Sequence, residues 1–381
     1  MSNRWPGGLI RKTPVTPAGP FQNSAAPGVW TLAEAAYWKK QGLWPTAGNE
    51  RPEYLAVAHG TSPYVTAYPW SSLGFGTKFA DPATLPNGLG AGVTFTSSGN
   101  AVAAAIQGSP RIFAYPWSNS GFGTKFANPA VATTGAPLGI AFSPSNNAIA
   151  IAGTDSPYVD AYAWSGSGFG SKFSNPATLP TGQGYSVAFS PAGDAIAVAH
   201  FTTPFITAYP WSGSGFGTKF ANPASLPAGA FGRGVAFSPA GNAIAVTTNT
   251  APRIYVYAWS GSGFGTKFTD PSSALTDTGL GVTFNPAGTA IAVTTVSSPF
   301  INVYAWSGSG FGTKFANPAT LPTGSSQYVA FSPSGNAIAV AHFTTPFVSA
   351  YPWSGSGFGT KFANPATLPT GDAYGVAFTT I

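Results

Sequence analysis

Few residues in this chain are equipped for chemistry. Its 381 residues include no cysteine, 3 histidines and 10 acidic side chains. Without cysteine there is no disulfide, thiolate metal site or cysteine nucleophile. His59, His200 and His342 invite a metal site. They fall, however, at one equivalent position of a repeated segment (AVAH), and no carboxylate accompanies them at ligand spacing. Other copies of that segment carry Ile106, Gly153, Thr248 and Thr295 there. Asp81 and Asp270 alternate with Asn before a proline and read as turn residues. Asp194 stands where Asn is usual, and Asp155, Asp160, Asp277 and Asp372 fall at different repeat positions. Glycoside hydrolysis needs a facing carboxylate pair with separated pKa values, and nothing nominates such a pair. GSGFG does not open a helix, so it is no phosphate loop, and there is no nucleophile elbow. The expectation is a non-enzyme without metal or other cofactor.

The elements that position these residues come from a repeat. Trp70, Trp117, Trp164, Trp211, Trp259, Trp306 and Trp353 recur at steps of 47 or 48 residues. Each ends YPW or YAW and is followed by a variant of SGSGFGTKFANPATLPTG, then of VAFSPSGNAIAVAH. The unit reads as four strands: VAFS (A), AIAVA (B), FVSAYPW (C) and TKFA (D), separated by Pro, Gly, Ser and Asn turns. No helical period appears within it. Four short strands per unit, seven times over, predict an all-β, seven-bladed β-propeller across residues 52–381; a β-solenoid is the alternative. The first unit lacks strand A, and the chain ends on a spare one, YGVAFTTI. The C-terminal strand is therefore expected to close the ring by pairing in the first blade.

Composition agrees. Gly (48) and Pro (36) exceed a fifth of the chain, yet 44% is hydrophobic and 14% aromatic, which excludes disorder. Collagen is excluded because glycine does not recur at every third position. No apolar run approaches the length of a membrane helix, and the first residues do not read as a secretory signal. The net charge of +6 is concentrated early: residues 1–51 hold six basic and two acidic side chains, the remainder ten and eight. A nucleic-acid partner is not expected from so even a body charge. Lys78, Lys125, Lys172, Lys219, Lys267, Lys314 and Lys361 recur in strand D, where lysine guards an exposed edge.

VAFSPSGNAIAVA and INVYAW resemble WD-repeat and related seven-bladed propellers over about 330 residues. The Trp-Asp dipeptide is absent, since Ser follows every one of the seven Trp, and the family's structural histidine is missing from the D–A connection. The resemblance thus implies the architecture and no WD-type partner rule.

Residues 1–51 lie outside the repeat. A Pro-rich stretch, RKTPVTPAGP, precedes GVWTLAEAAYWKKQGLWP, which contains one expected helix. Thr31 and Glu34 form a capping box, and Gly42 ends it. RWPGGLIRKTPVTP and GVWTLAEAAYWKKQGLWP resemble the N-terminal segment of tailed-bacteriophage virion structural proteins, where a short attachment module precedes exchangeable C-terminal domains. The resemblance implies a virion localisation, synthesis in the host cytoplasm, and attachment to other virion proteins through Trp30, Leu32, Trp38, Leu43 and Trp44. Packing of the segment against its own propeller is the plainer alternative.

Comparison among the seven copies separates fold from ligand. The A–B and C–D loops are nearly constant, whereas B–C and D–A vary, and both emerge on one face of an up-and-down blade. After the B–C proline stand Tyr64, Arg111, Tyr158, Phe205, Arg253, Phe300 and Phe347. The D–A connections bring Tyr185, Phe231, Arg233, Tyr328 and Tyr374, besides Leu89, Leu138 and Leu280. Tyr, Phe and Arg dominate binding hot spots, and aromatic faces stack on sugars. The expected function is a non-enzymatic virion protein displaying a propeller, with these residues as candidates for a host-surface glycan or protein. A scaffold bridging virion components is the alternative, a propeller glycan lyase or hydrolase the third reading.

Overall fold

The computed structural model describes residues 52–381; the expected helix and the attachment residues Trp30 to Trp44 lie outside the described residues. Seven four-stranded antiparallel sheets form the blades of a β-propeller, ordered A-B-C-D from inner to outer strand. The ring closes as the sequence predicts. Ala373–Thr380 is strand A of blade one and pairs antiparallel with Glu53–His59, from Glu53 opposite Thr380 to His59 opposite Ala373.

Strand B is the core of each blade. AVAAAI, AIAIAG, AIAVAH and AIAVTT are buried at every position, because blades pack on both of their faces. Strand C carries the repeated Trp at or one residue before its end, 2% to 7% exposed in all seven blades. Each Trp meets phenylalanines edge-on. Trp70 touches Phe378 of its own strand A (5.2 Å), Phe75 of its own strand D (5.0 Å) and Phe362 of the preceding blade (5.1 Å). The same three contacts surround Trp117, Trp164 and Trp211. This geometry suits the ring quadrupoles and clamps neighbouring blades. Gly74 in the C–D turn has φ +96°, and a Cβ there would lie 3.1 Å from Phe362, so both backbone and space call for glycine.

Two residues before each Trp lies a fully buried Tyr. In six blades its hydroxyl donates to a carbonyl of the connection entering the blade, as Tyr209 does to Thr178 at 2.7 Å.

Strand D differs from expectation. It begins at Gly-Phe, immediately after the turn, in six blades and at Phe311 in blade six, and does not comprise TKFA. It spans two residues in blades one, two, four and seven, and four or five in blades three, five and six. The residue before Trp decides this. It is proline in the first group (Pro69, Pro116, Pro210, Pro352) and alanine in the second (Ala163, Ala258, Ala305). The Pro69 carbonyl accepts from Gly76 N–H at 2.8 Å, so this position's hydrogen bonds point toward strand D. A proline there has no N–H to extend the ladder.

Candidate functional site

The central channel opens on the B–C and D–A face into a cavity of about 510 Å³. Its wall is built from the start of strand A in every blade, and the second residue of that strand varies: Tyr374, Ala91, Leu138, Tyr185, Arg233, Leu280 and Gln327 in blades one to seven. The following position is Gly or Ser in six blades and Tyr328 in the seventh. Inner strands crowd here: a Cβ on Gly281 would lie 2.9 Å from the Tyr328 backbone. The first residues of the B–C loops add Gln107, Val296 and Phe343. Toward the opposite end the lining repeats, with a Val or Ile from each blade, such as Val93, Ile140 and Val187, and a Phe from six of the seven, such as Phe142 and Phe189. Variation therefore gathers at one mouth.

Aromatic side chains cluster at two places around it. Between blades four and five, Phe201 stacks on Phe231 (centroids 6.0 Å apart, 18° between planes), and Tyr185 lies 6.4 Å and 6.3 Å from the two. The Arg233 guanidinium sits over the rings of Tyr185 (4.3 Å) and Phe231 (4.9 Å). Burial holds the Arg233 pKa below its usual value, although a guanidinium stays charged at neutral pH. Between blades seven and one, Phe343 packs on Tyr374 at 4.8 Å. Burial raises the Tyr328 phenol, and that of Tyr374, where the charge of Asp372 adds to the effect.

Of the residues singled out from sequence, Tyr185, Arg233, Tyr328 and Tyr374 line the mouth, and Phe231 packs on two of them. The seven post-proline residues do not line it. Tyr64, Arg111, Tyr158, Phe205, Arg253, Phe300 and Phe347 follow cis X–Pro bonds and hold left-handed backbone, φ +66° to +76°. Their carbonyls accept from the end of strand B, as Phe205 does from His200 N–H at 3.0 Å. Phe205 is buried, its carbonyl so close to Gly232 that a Cβ there would come within 2.2 Å. Arg253 Nη1 donates to the Leu275 carbonyl at 2.7 Å. Phe201, Phe343, Gln107, Gln327 and Val296 escaped the sequence reading. For all but Gln327, the second residue of a strand A, the signal was the residue directly after strand B, which varies as widely as the one after the proline.

The other reactive groups are embedded in the blades. His59, His200 and His342 are fully buried, and desolvation lowers each pKa to about 4. Nε2 of His200 meets Thr207 Oγ1 at 2.8 Å, and that of His342 meets Ser349 Oγ at 3.0 Å. Among the described residues no three His, Asp or Glu side chains come together as a metal site. Asp160 is buried with Lys172 at 2.5 Å and accepts from Thr134 N–H at 3.0 Å. Asp277 is bound by Ser297 and Thr278, which hold its carboxyl below the usual range. Five of the seven repeated lysines are tied to the Asn or Asp three residues on, as Lys78 to Asp81 and Lys219 to Asn222.

No protein-family model matches the chain, and no curated protein matches its sequence. Solved structures do match in shape. Two are named "putative 6-phosphogluconolactonase". The one from Bacteroides uniformis has TM-score 0.70, 14% identity, and covers 87% of this chain and 100% of its own. The one from Bacteroides fragilis has TM-score 0.72, 11% identity, and covers 87% and 99%. A periplasmic gluconolactonase of Pseudomonas aeruginosa has TM-score 0.65 and 13% identity, covering 86% and 99%. At these identities the likeness is one of fold alone.

Proposed function

We propose that this chain is a non-enzymatic display protein of a bacteriophage particle, attached through residues 1–51 and presenting the variable mouth of its propeller to a host-surface ligand. The observation supporting display is the asymmetry of the channel. One end repeats Val or Ile from every blade and Phe from six of the seven, whereas the other carries, among the described residues, Tyr, Phe, Leu, Gln and a single Arg. Side chains that the fold requires recur in all copies; those that serve a ligand are free to differ. Among the described residues the mouth's lining holds no carboxylate or histidine to transfer a proton, and a pocket of this size and character suits binding. The particle assignment rests on the resemblance of GVWTLAEAAYWKKQGLWP to phage attachment segments.

The test compares the labelled full chain on bacterial cells, on a glycan array and on purified virion proteins. Binding to cells or glycans supports display, and binding to virion proteins alone would replace it with a bridging scaffold. The fold shared with proteins named as lactonases favours one further reading, hydrolysis of a sugar lactone. Turnover of such a lactone by the full chain, lost on Arg233→Leu, would establish that reading instead.

A further inference from the structure

Among the described residues, Arg233 is the one charged side chain lining the mouth. Its Nε is buried and has no hydrogen-bond partner among the described residues, and no carboxylate pairs with it. Arg253 of the same blade likewise leaves its Nε without a partner, but its Nη1 donates to the Leu275 carbonyl. The blades flanking Arg233 place Tyr185 and Leu280 at the same position, so the fold does not require a cation there. A half-buried guanidinium without a counter-charge is costly, and the rings of Tyr185 and Phe231 offset only part of that cost. Its planar fork matches a carboxylate in a bidentate pair. The aromatic faces beside it offer apolar area to the C–H face of a saturated ring.

We propose that Arg233, flanked by Tyr185 and Phe231, binds the carboxylate of a sugar acid whose ring lies in the channel mouth. This rests on the display reading and adds the chemical class of the ligand. A free inorganic anion could satisfy the guanidinium alone, but would leave the aromatic cluster and most of the cavity unused.

Calorimetric titration of the full chain with glucuronate, glucuronate methyl ester, glucose and inorganic phosphate separates these sources. Glucuronate is expected to bind, the ester and glucose at least tenfold more weakly, and phosphate more weakly than glucuronate. Arg233→Leu, which copies Leu280 and Leu138, should weaken glucuronate at least tenfold while the protein unfolds as before. Arg233→Lys should restore part of the affinity, with increased sensitivity to salt. Glucuronate binding unchanged by Arg233→Leu overturns the proposal, as does equal affinity for glucose or for phosphate. Absence of glucuronate binding overturns it as well. If cell or glycan-array binding persists in that case, the display reading stands without it.

Discussion

Replacing the three buried histidines with threonine should remove a pH dependence of stability built into blades one, four and seven. His59, His200 and His342 are 0% exposed and held neutral, with pKa values lowered from 6.5 to about 4 by desolvation. In the unfolded chain they regain the ordinary value. Between these two pKa values the unfolded state binds more protons than the folded one, so stability rises with pH across the window. It is fully present above about pH 6.5 and is lost as pH falls toward 4. At about pH 5 each histidine costs 1.36 kcal/mol for each of about 1.5 pH units, or about 2 kcal/mol. The three together cost about 6 kcal/mol if independent, a large share of ordinary stability. Asp277, with its lowered carboxyl pKa, acts in acid below this window. The combined variant His59→Thr, His200→Thr, His342→Thr uses the residue of blades five and six, Thr248 and Thr295. Equilibrium urea unfolding of both proteins at about pH 7.5 and pH 5, followed by tryptophan fluorescence and circular dichroism, gives the comparison. The wild type should lose several kcal/mol on acidification, and the variant a small fraction of that. Equal losses would show that the histidines are solvated or charged in the folded protein.

Further predictions concern closure and packing. Removing Ala373–Ile381 exposes the edge of Glu53–His59 and should lower the melting temperature and promote association; a truncated chain that melts unchanged and stays monomeric refutes the closure. Trp211→Ala empties a site bounded by Phe173, Phe189 and Phe216 and should cost about 3–5 kcal/mol in denaturant unfolding; a loss of a few tenths would mean that the indole is not packed as described. Lys172→Met leaves the Asp160 carboxylate buried without its cation and should destabilise by about 3 kcal/mol, whereas adding Asp160→Thr, as in Thr207 of blade four, should recover most of that loss.

The fold was legible because its signals are redundant: seven spaced Trp, an apolar strand B in every copy, and a strand A missing from the first copy and spare after the last. Strand D was misplaced because it begins at the Gly-Phe that reads as part of the turn; its length then depends on one neighbour, since Ala163 has an N–H with which to continue the ladder and Pro69 has none. At the candidate site, copy-to-copy variation pointed to the end of the channel where Tyr185, Arg233 and Tyr374 line the cavity. It could not tell a residue facing the channel from one held in a turn. Phe205 and Phe201 both flank the same Thr-Thr-Pro, yet the first is buried beneath Gly232 and the second stacks on Phe231. Tyr328 likewise stands one position beyond Tyr185 along strand A, a difference of register that loop comparison alone does not expose.

The most direct test of a displayed binding mouth is attachment of the full chain to host cells, measured for two matched triple variants of confirmed fold. One removes Tyr185, Phe231 and Tyr374 at the mouth, each to alanine. The other removes the exposed Ser98, Ser145 and Ser334 in the constant A–B turns at the opposite end of the channel. The account predicts at least a tenfold loss of attachment for the mouth variant and wild-type attachment for the turn variant. Loss confined to the turn variant, or equal attachment by all three proteins, would contradict it.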